Sequence, residues 1–218
     1  MIFDKQPIVG YYPAHMKYIM YGIISLFLIL SPQAPISPLG PKLATDVVLS
    51  KVDYSLENRY ANTFVNDVFT DNILLTLAYM NGTIKKGEPV PWDTVRAPFE
   101  YRLSLRPGET FAFHENVLSA YKDKVVATTN AHFNSAEGFK SDGWLVGDGV
   151  CHLASFMNVV AQRANLTVNA PTRHDFAKIA DVTRDDGVSI KYDPSGGGNT
   201  QQQNLYITNN REKTIAFV

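Results

Sequence analysis

One stretch limits what this chain can become: residues 147–157, GDGVCHLASFM, a glycine turn that delivers the sole cysteine to the start of an apolar helix. From Cys151 onward, Leu153, Phe156, Met157, Val160, Ala161 and Ala164 recur at three- and four-residue steps, the period of a helix that buries one face. Gly147 and Gly149 permit the sharp turn that precedes it. A thiol in a first helical turn lies beside unpaired N–H groups and the positive end of the helix dipole, which both favour thiolate. The competing expectation is a small buried hydrophobe, the commoner use of a lone cysteine.

Everything else in the chain is placed relative to that helix. Residues 18–30 (YIMYGIISLFLIL) are uncharged and apolar, with Lys17 before and Ser31-Pro32-Gln33-Ala34 after. Thirteen residues is short of the roughly 20 that a membrane-spanning helix needs and suits the apolar part of a signal peptide. Residues 1–34 are therefore expected to be a leader, with translation starting at Met1 or Met16, and either cleaved or kept as an anchor. Residues 35–45 continue a proline-rich linker, and a folded domain spans 46–218, ending on an apolar strand as a truncated reading frame would. This layout predicts an extracytoplasmic protein whose only contact with a membrane is the N-terminal segment.

Within the domain, residues 46–54 read as a strand and residues 71–80 as a helix capped by Asp71 and ended by Asn81-Gly82. A polar loop fills 85–98. Residues 99–114 alternate around Pro107-Gly108 as a strand-turn-strand hairpin, and 124–132 form another strand. Segments 166–168, 187–192, 205–208 and 214–218 supply further strands, the last ones as an antiparallel meander. Helices and strands are segregated, so the expected class is α+β: one domain, a few helices on a mostly antiparallel sheet, the cysteine helix at its core. The PSGGGN stretch at 194–199 lacks a following lysine or helix and reads as a hairpin loop, not a phosphate loop.

Charge excludes one class of partner. The chain has 20 basic and 21 acidic residues and no basic run, so no nucleic-acid partner is expected. A cysteine nucleophile needs a base and a group to orient it. Of five histidines, His15 falls in the leader, and His152 points about 100° away from Cys151 on the helix. His114 and His132 follow strand-like segments and remain open as pocket members. His174, in the connection after the helix, is the best base, with Asp175, Asp185, Asp193 or Asn204 as orienter. Asp148 and Gly149 in the turn, with His152 and Asp175 beside the two reactive residues, are candidate substrate contacts. The histidines and Cys151 could instead ligate zinc, but no close ligand spacing exists, so neither a metal nor another cofactor is expected.

Glu57-Asn58-Arg59, LRPGETFAFHENV (105–117), GDGVCHLASFMNVVAQRANLTV (147–168), TRHDF (172–176) and NLYITNN (204–210) occur in that order. The series resembles the VanW-like family, bacterial extracytoplasmic proteins named for an accessory gene of vancomycin-resistance clusters, over about residues 46–218. Members carry an Asn-Arg near the start, a Pro-Gly-Glu-x-Phe-x-Phe turn, a Gly-x-Gly-[Val/Ile]-Cys helix start, a later His, an Arg-Asp before a strand and an Asn-Asn turn. This chain departs with His152 where Gln is common, Asp175 where Ser is common, and Thr183-Arg184-Asp185-Asp186-Gly187-Val188 where Gly-Arg-Asp-Ala-Thr-Val is usual. The resemblance picks out Cys151, His174 and Asp185, an order similar to papain-like and transglutaminase-like cysteine enzymes. It implies a cell-envelope protein acting on peptidoglycan-type peptides as a thiol amidase or acyl transferase. The alternative is a non-catalytic peptidoglycan-binding or envelope-assembly module with Cys151 structural.

Overall fold

The computed structural model describes residues 23–30 (backbone only), 47–115, 118–144, 146–191 and 202–218; the PSGGGN stretch and Asp193 lie outside them. The first sheet has the order β2-β1-β8-β3, built from β1 (Ile23–Leu30), β2 (Val47–Ser55), β3 (Leu103–Leu105) and β8 (Ile215–Phe217). All its pairings are antiparallel. The second has the order β5-β4-β7-β6, from β4 (Thr110–Ala112), β5 (Val125–Ala127), β6 (Thr167–Asn169) and β7 (Tyr206–Thr208), with only β4/β5 parallel. With helices α1 (Thr63–Met80), α2 (Trp92–Arg96) and α3 (Val150–Arg163), the described residues form a single α+β domain, the class expected.

Three local readings differ from the structure. Ile23–Leu30 lies inside the first sheet rather than ahead of it, running from Ile23 opposite Ser55 to Leu30 opposite Val47. Its β-branched and aromatic residues (Ile23, Ile24, Phe27, Ile29) suit an extended chain as well as an apolar helix. The expected hairpin around Pro107-Gly108 is not one: β3 pairs with β8, while β4 pairs with β7 and β5. The turn thus carries the chain from one sheet to the other. The closing meander is divided the same way, since β7 and β8 belong to different sheets.

Helix α1 starts eight residues earlier than expected. Asn62 caps it by accepting a hydrogen bond from the Val65 amide, and Asn81 closes it. Asp71 instead lies inside the helix, where its buried carboxylate takes the Arg96 guanidinium at 2.8 and 2.7 Å and the Lys140 ammonium. Burial alone would raise this carboxyl; the hydrogen bonds from Arg96 and Lys140 outweigh it and hold it below the usual range.

Helix α3 is the centre of the packing. It lies on β2 and β1 of one sheet, touches β6 of the other, and packs against α1. Its apolar stripe (Leu153, Phe156, Met157, Val160, Ala161) is buried, as its period predicted. Leu153, Met157 and Val160 share one core with Phe111, Phe113, Phe133, Leu205 and Ile207.

Candidate functional site

The turn into α3 works because Gly149 has no side chain. Its φ is +95°, and a Cβ there would stand 2.6 Å from the Phe69 backbone of α1. Asn72, one turn further along α1, clamps the same loop. Its amide nitrogen donates to the carbonyls of Lys140 (3.0 Å) and Asp148 (2.8 Å), and its oxygen accepts from the Lys140 amide (2.8 Å). The first turn of α3 is therefore fixed against α1 through backbone contacts, which leaves Cys151 and His152 to face two different surroundings.

Cys151 faces residues 186–190 across a polar seam. The Ser155 hydroxyl donates to the Cys151 carbonyl (2.7 Å) and accepts from the Val188 amide (2.9 Å). The Asn158 side chain donates to the Asp186 carbonyl (2.8 Å), and Gln162 donates to Asn158 (2.8 Å). At the top of the seam the backbone of Ile190 lies close enough to favour the ionised thiol. Cys151, Ser155, Asn158 and Gln162 are four, three and four residues apart, one stripe of the helix.

The half-buried thiol is pushed up to about 11. Burial is the main cause, with Asp148 adding to it and the Ile190 amide opposing it. Here the structure overturns the expectation from the helix start: desolvation outweighs the dipole and the N–H groups, and the resting sulfur is a thiol.

His152 faces the other way, into an aromatic box. Its ring stands edge-on to Phe69 at 5.1 Å and to His174 at 6.5 Å, and lies 6.4 Å from Phe156. Burial lowers its pKa to about 3, with smaller contributions from Arg59 and His174. Its Nδ1 has no hydrogen-bond partner among the described residues. The His152 amide is taken by the Gly149 carbonyl at 2.9 Å.

His174 is buried beside this box. Its amide donates to the Gly187 carbonyl (3.0 Å), and the Ser189 amide donates to the Thr172 carbonyl (3.0 Å). Residues 172–174 thus lie against 187–189. Gly187 permits the approach, since a Cβ there would meet the His174 carbonyl oxygen at 2.8 Å. The ring is held by the Ala177 carbonyl, 3.1 Å from Nδ1, and packs on the exposed Phe176 at 4.1 Å. Burial lowers its pKa, so the ring is neutral at pH 7. A carbonyl can only accept, so Nδ1 carries the proton and Nε2 the lone pair.

Asp185 does not orient this ring. Its Oδ1 binds Arg173 Nη1 at 2.9 Å on an exposed surface, and the Ala177 carbonyl holds Nδ1 in its place. Asp175 is exposed and receives Arg184 on its backbone carbonyl (3.0 Å), its charge acting on His174 only at a distance. Asp148 is held by its carbonyl to Asn72. Asn204 accepts from the amides of His114 (3.1 Å) and Leu205 (2.9 Å), a structural use.

Four members of the site were left open or unseen in the sequence. His114 is 1% exposed and lowered to about 4 mainly by burial, with the Ile190 backbone, which also acts on the thiol, opposing that shift. Ser155, Asn158 and Gln162 carry a signal that could have found them: a polar stripe in register with Cys151 on an otherwise apolar helix. His132 is engaged elsewhere, by Glu137 at 2.6 Å. Among the described residues no group of three or more His, Cys, Asp or Glu side chains is placed to hold a metal ion. No helix there is long and apolar enough to cross a membrane. No protein-family model matches this chain, and neither a curated protein nor a solved structure is significantly similar to it.

Proposed function

We propose that this protein is a cell-envelope, cysteine-dependent acyl transferase or amidase acting on peptidoglycan-type peptides, with Cys151 as nucleophile and His174 as base. One observation supports the reading: the sole thiol sits in the first turn of α3, and the His152 ring of that same turn stands 6.5 Å from His174, whose tautomer the Ala177 carbonyl fixes. A neutral imidazole with a fixed tautomer is the form that accepts a proton. The envelope location rests on the apolar N-terminal run and on the VanW-like motifs.

The chemistry differs from a preformed thiolate–imidazolium pair. In this reading the thiol proton passes to a neutral imidazole, that of His174, which lies on the side of the first turn that His152 faces, as the sulfur attacks the amide carbon and a C–S bond forms. The oxyanion meets backbone N–H donors. Collapse breaks the C–N bond, and the imidazolium returns its proton to the leaving amine. Water then resolves the thioester in an amidase, a second amine in a transferase. Ala177 takes the orienting role first assigned to Asp185.

A second reading has its own observation. Cys151 shares its helix stripe with Ser155, whose hydroxyl accepts the Val188 amide, and burial keeps its thiol protonated, so Cys151 also fits a structural part in a peptidoglycan-binding module. Intact mass measurement of wild type and Cys151→Ser, incubated with purified muropeptides, separates the two. A covalent acyl adduct and peptide turnover in wild type alone support the enzyme. Folded, peptide-retaining protein with no adduct in either form leaves the module.

A further inference from the structure

The seam on α3 ends in a groove that neither the thiol nor the imidazoles use. It has a volume of about 350 Å³, within the lower range of small-ligand sites, and lies between α3, β6 and the segment 185–187. Asn158 and Gln162 form one wall, Val168 and Gly187 the floor, and Arg173 and Asp185 the rim. The rim is an ion pair that uses one nitrogen and one oxygen, Nη1 to Oδ1 at 2.9 Å. Arg173 Nη2 and Asp185 Oδ2 have no partner among the described residues. Both side chains are largely exposed, at 65% and 83%, so a ligand can reach them without unpacking the fold.

From these placements we infer that the groove is a substrate subsite for an α-amino-acid zwitterion, an ammonium and a carboxylate on one carbon, borne by the side chain of a peptide. The guanidinium edge takes the carboxylate and the aspartate the ammonium, each as a charge-assisted hydrogen bond. A site with one cation and one anion side by side offers a zwitterion two charge-assisted hydrogen bonds and a group carrying a single charge only one. The amides of Asn158 and Gln162 supply neutral contacts along the wall.

The distance fits a remote contact of one peptide. Asn158 and Gln162 lie seven and eleven residues beyond Cys151, about 10 to 16 Å along the helix at its ordinary rise. An extended peptide covers that span in roughly three to five residues. The inference rests on the peptide-directed reading above and names which peptides it prefers.

Isothermal titration of the Cys151→Ser protein tests it without turnover. The probes are L-alanyl-γ-D-glutamyl-meso-diaminopimelic acid, whose side chain ends in a zwitterion, and the same peptide ending in L-lysine, whose side chain ends in an ammonium alone. The first is expected to bind about tenfold tighter. Asp185→Asn and Arg173→Gln should each abolish the preference. The exchange Arg173→Asp with Asp185→Arg should restore part of it, because a zwitterion can turn round. Equal affinity for the two peptides, binding of neither, or a preference unmoved by the single variants overturns the subsite, given melting curves like the parent's. A preference without turnover in wild type sinks the catalytic reading and leaves the subsite standing; turnover without a preference does the reverse.

Discussion

Cys151 and His152 are neighbours in one helical turn, yet they meet the protein in opposite ways. The thiol lies at the end of a hydrogen-bonded seam in which Ser155 and Asn158 satisfy backbone groups of Val188 and Asp186. The imidazole enters an aromatic box where Nδ1 finds no partner. Burial drives both toward the uncharged state, the sulfur by keeping its proton and the ring by losing it. The contrast teaches that a helix start does not by itself make a thiolate. Its half-unit of dipole charge was outweighed here by the loss of water, and the proton has to move during attack.

The comparison depends first on the turn that creates it. Gly149→Ala should abolish folding or cost about 4 kcal/mol, since a Cβ at φ +95° would run into the Phe69 backbone. Urea denaturation followed by tryptophan fluorescence and far-ultraviolet circular dichroism measures it. A loss below about 1 kcal/mol would mean the two helices are not locked together at this point.

The box side is tested by acid. The folded pKa of His152, about 3, lies below the unfolded value of about 6.5, so its stabilising contribution is complete above pH 6.5 and is lost as pH falls toward 3. His152→Phe, which keeps a ring against Phe69 and Phe156, should recover roughly 2 kcal/mol at pH 5 relative to wild type, with little change at pH 7.5. Chemical denaturation at both values checks the slope; parallel profiles would show that the ring is not held neutral by the box.

On the seam side, Ser155→Ala strands the Val188 amide and should cost about 1.5 kcal/mol, readable as a lower urea midpoint at unchanged slope. Cys151→Ser, a near-isosteric change at the end of the seam, should cost less than about 1 kcal/mol. Iodoacetamide labelling of the resting wild type should be slow at pH 7 and keep rising beyond pH 9.5, in line with a thiol near 11. A plateau reached by pH 7 would restore the thiolate and erase the contrast. Asp185→Asn, at the exposed far end, should change stability by less than about 0.5 kcal/mol.

What the sequence made legible was local. The period of Leu153, Phe156, Met157 and Val160, the glycines before them and Asn81 after α1 each act within a few residues, and the structure keeps them. Sheet membership is decided at long range, and there the reading broke down. Nothing in residues 103–112 tells that Leu103 meets Phe217 while Phe111 meets Ile207. Asp71 was taken for a cap because its partners, Arg96 and Lys140, lie 25 and 69 residues away. The site was legible in the same proportion. Cys151, the helix start and His174 stood out as residue types at informative places, whereas the Ala177 carbonyl and the Ile190 backbone are main-chain groups that no residue name announces.

The position of residues 23–30 has a consequence for the whole first sheet. β2 reaches the remaining strands only through this segment, because the order runs β2-β1-β8-β3. Any event that withdraws those eight residues, such as insertion into a lipid bilayer or excision, opens two ladders at once and leaves β8 held by β3 alone. Two bare edges of that kind invite a foreign strand, so the first sheet stays closed only while this segment remains in its place.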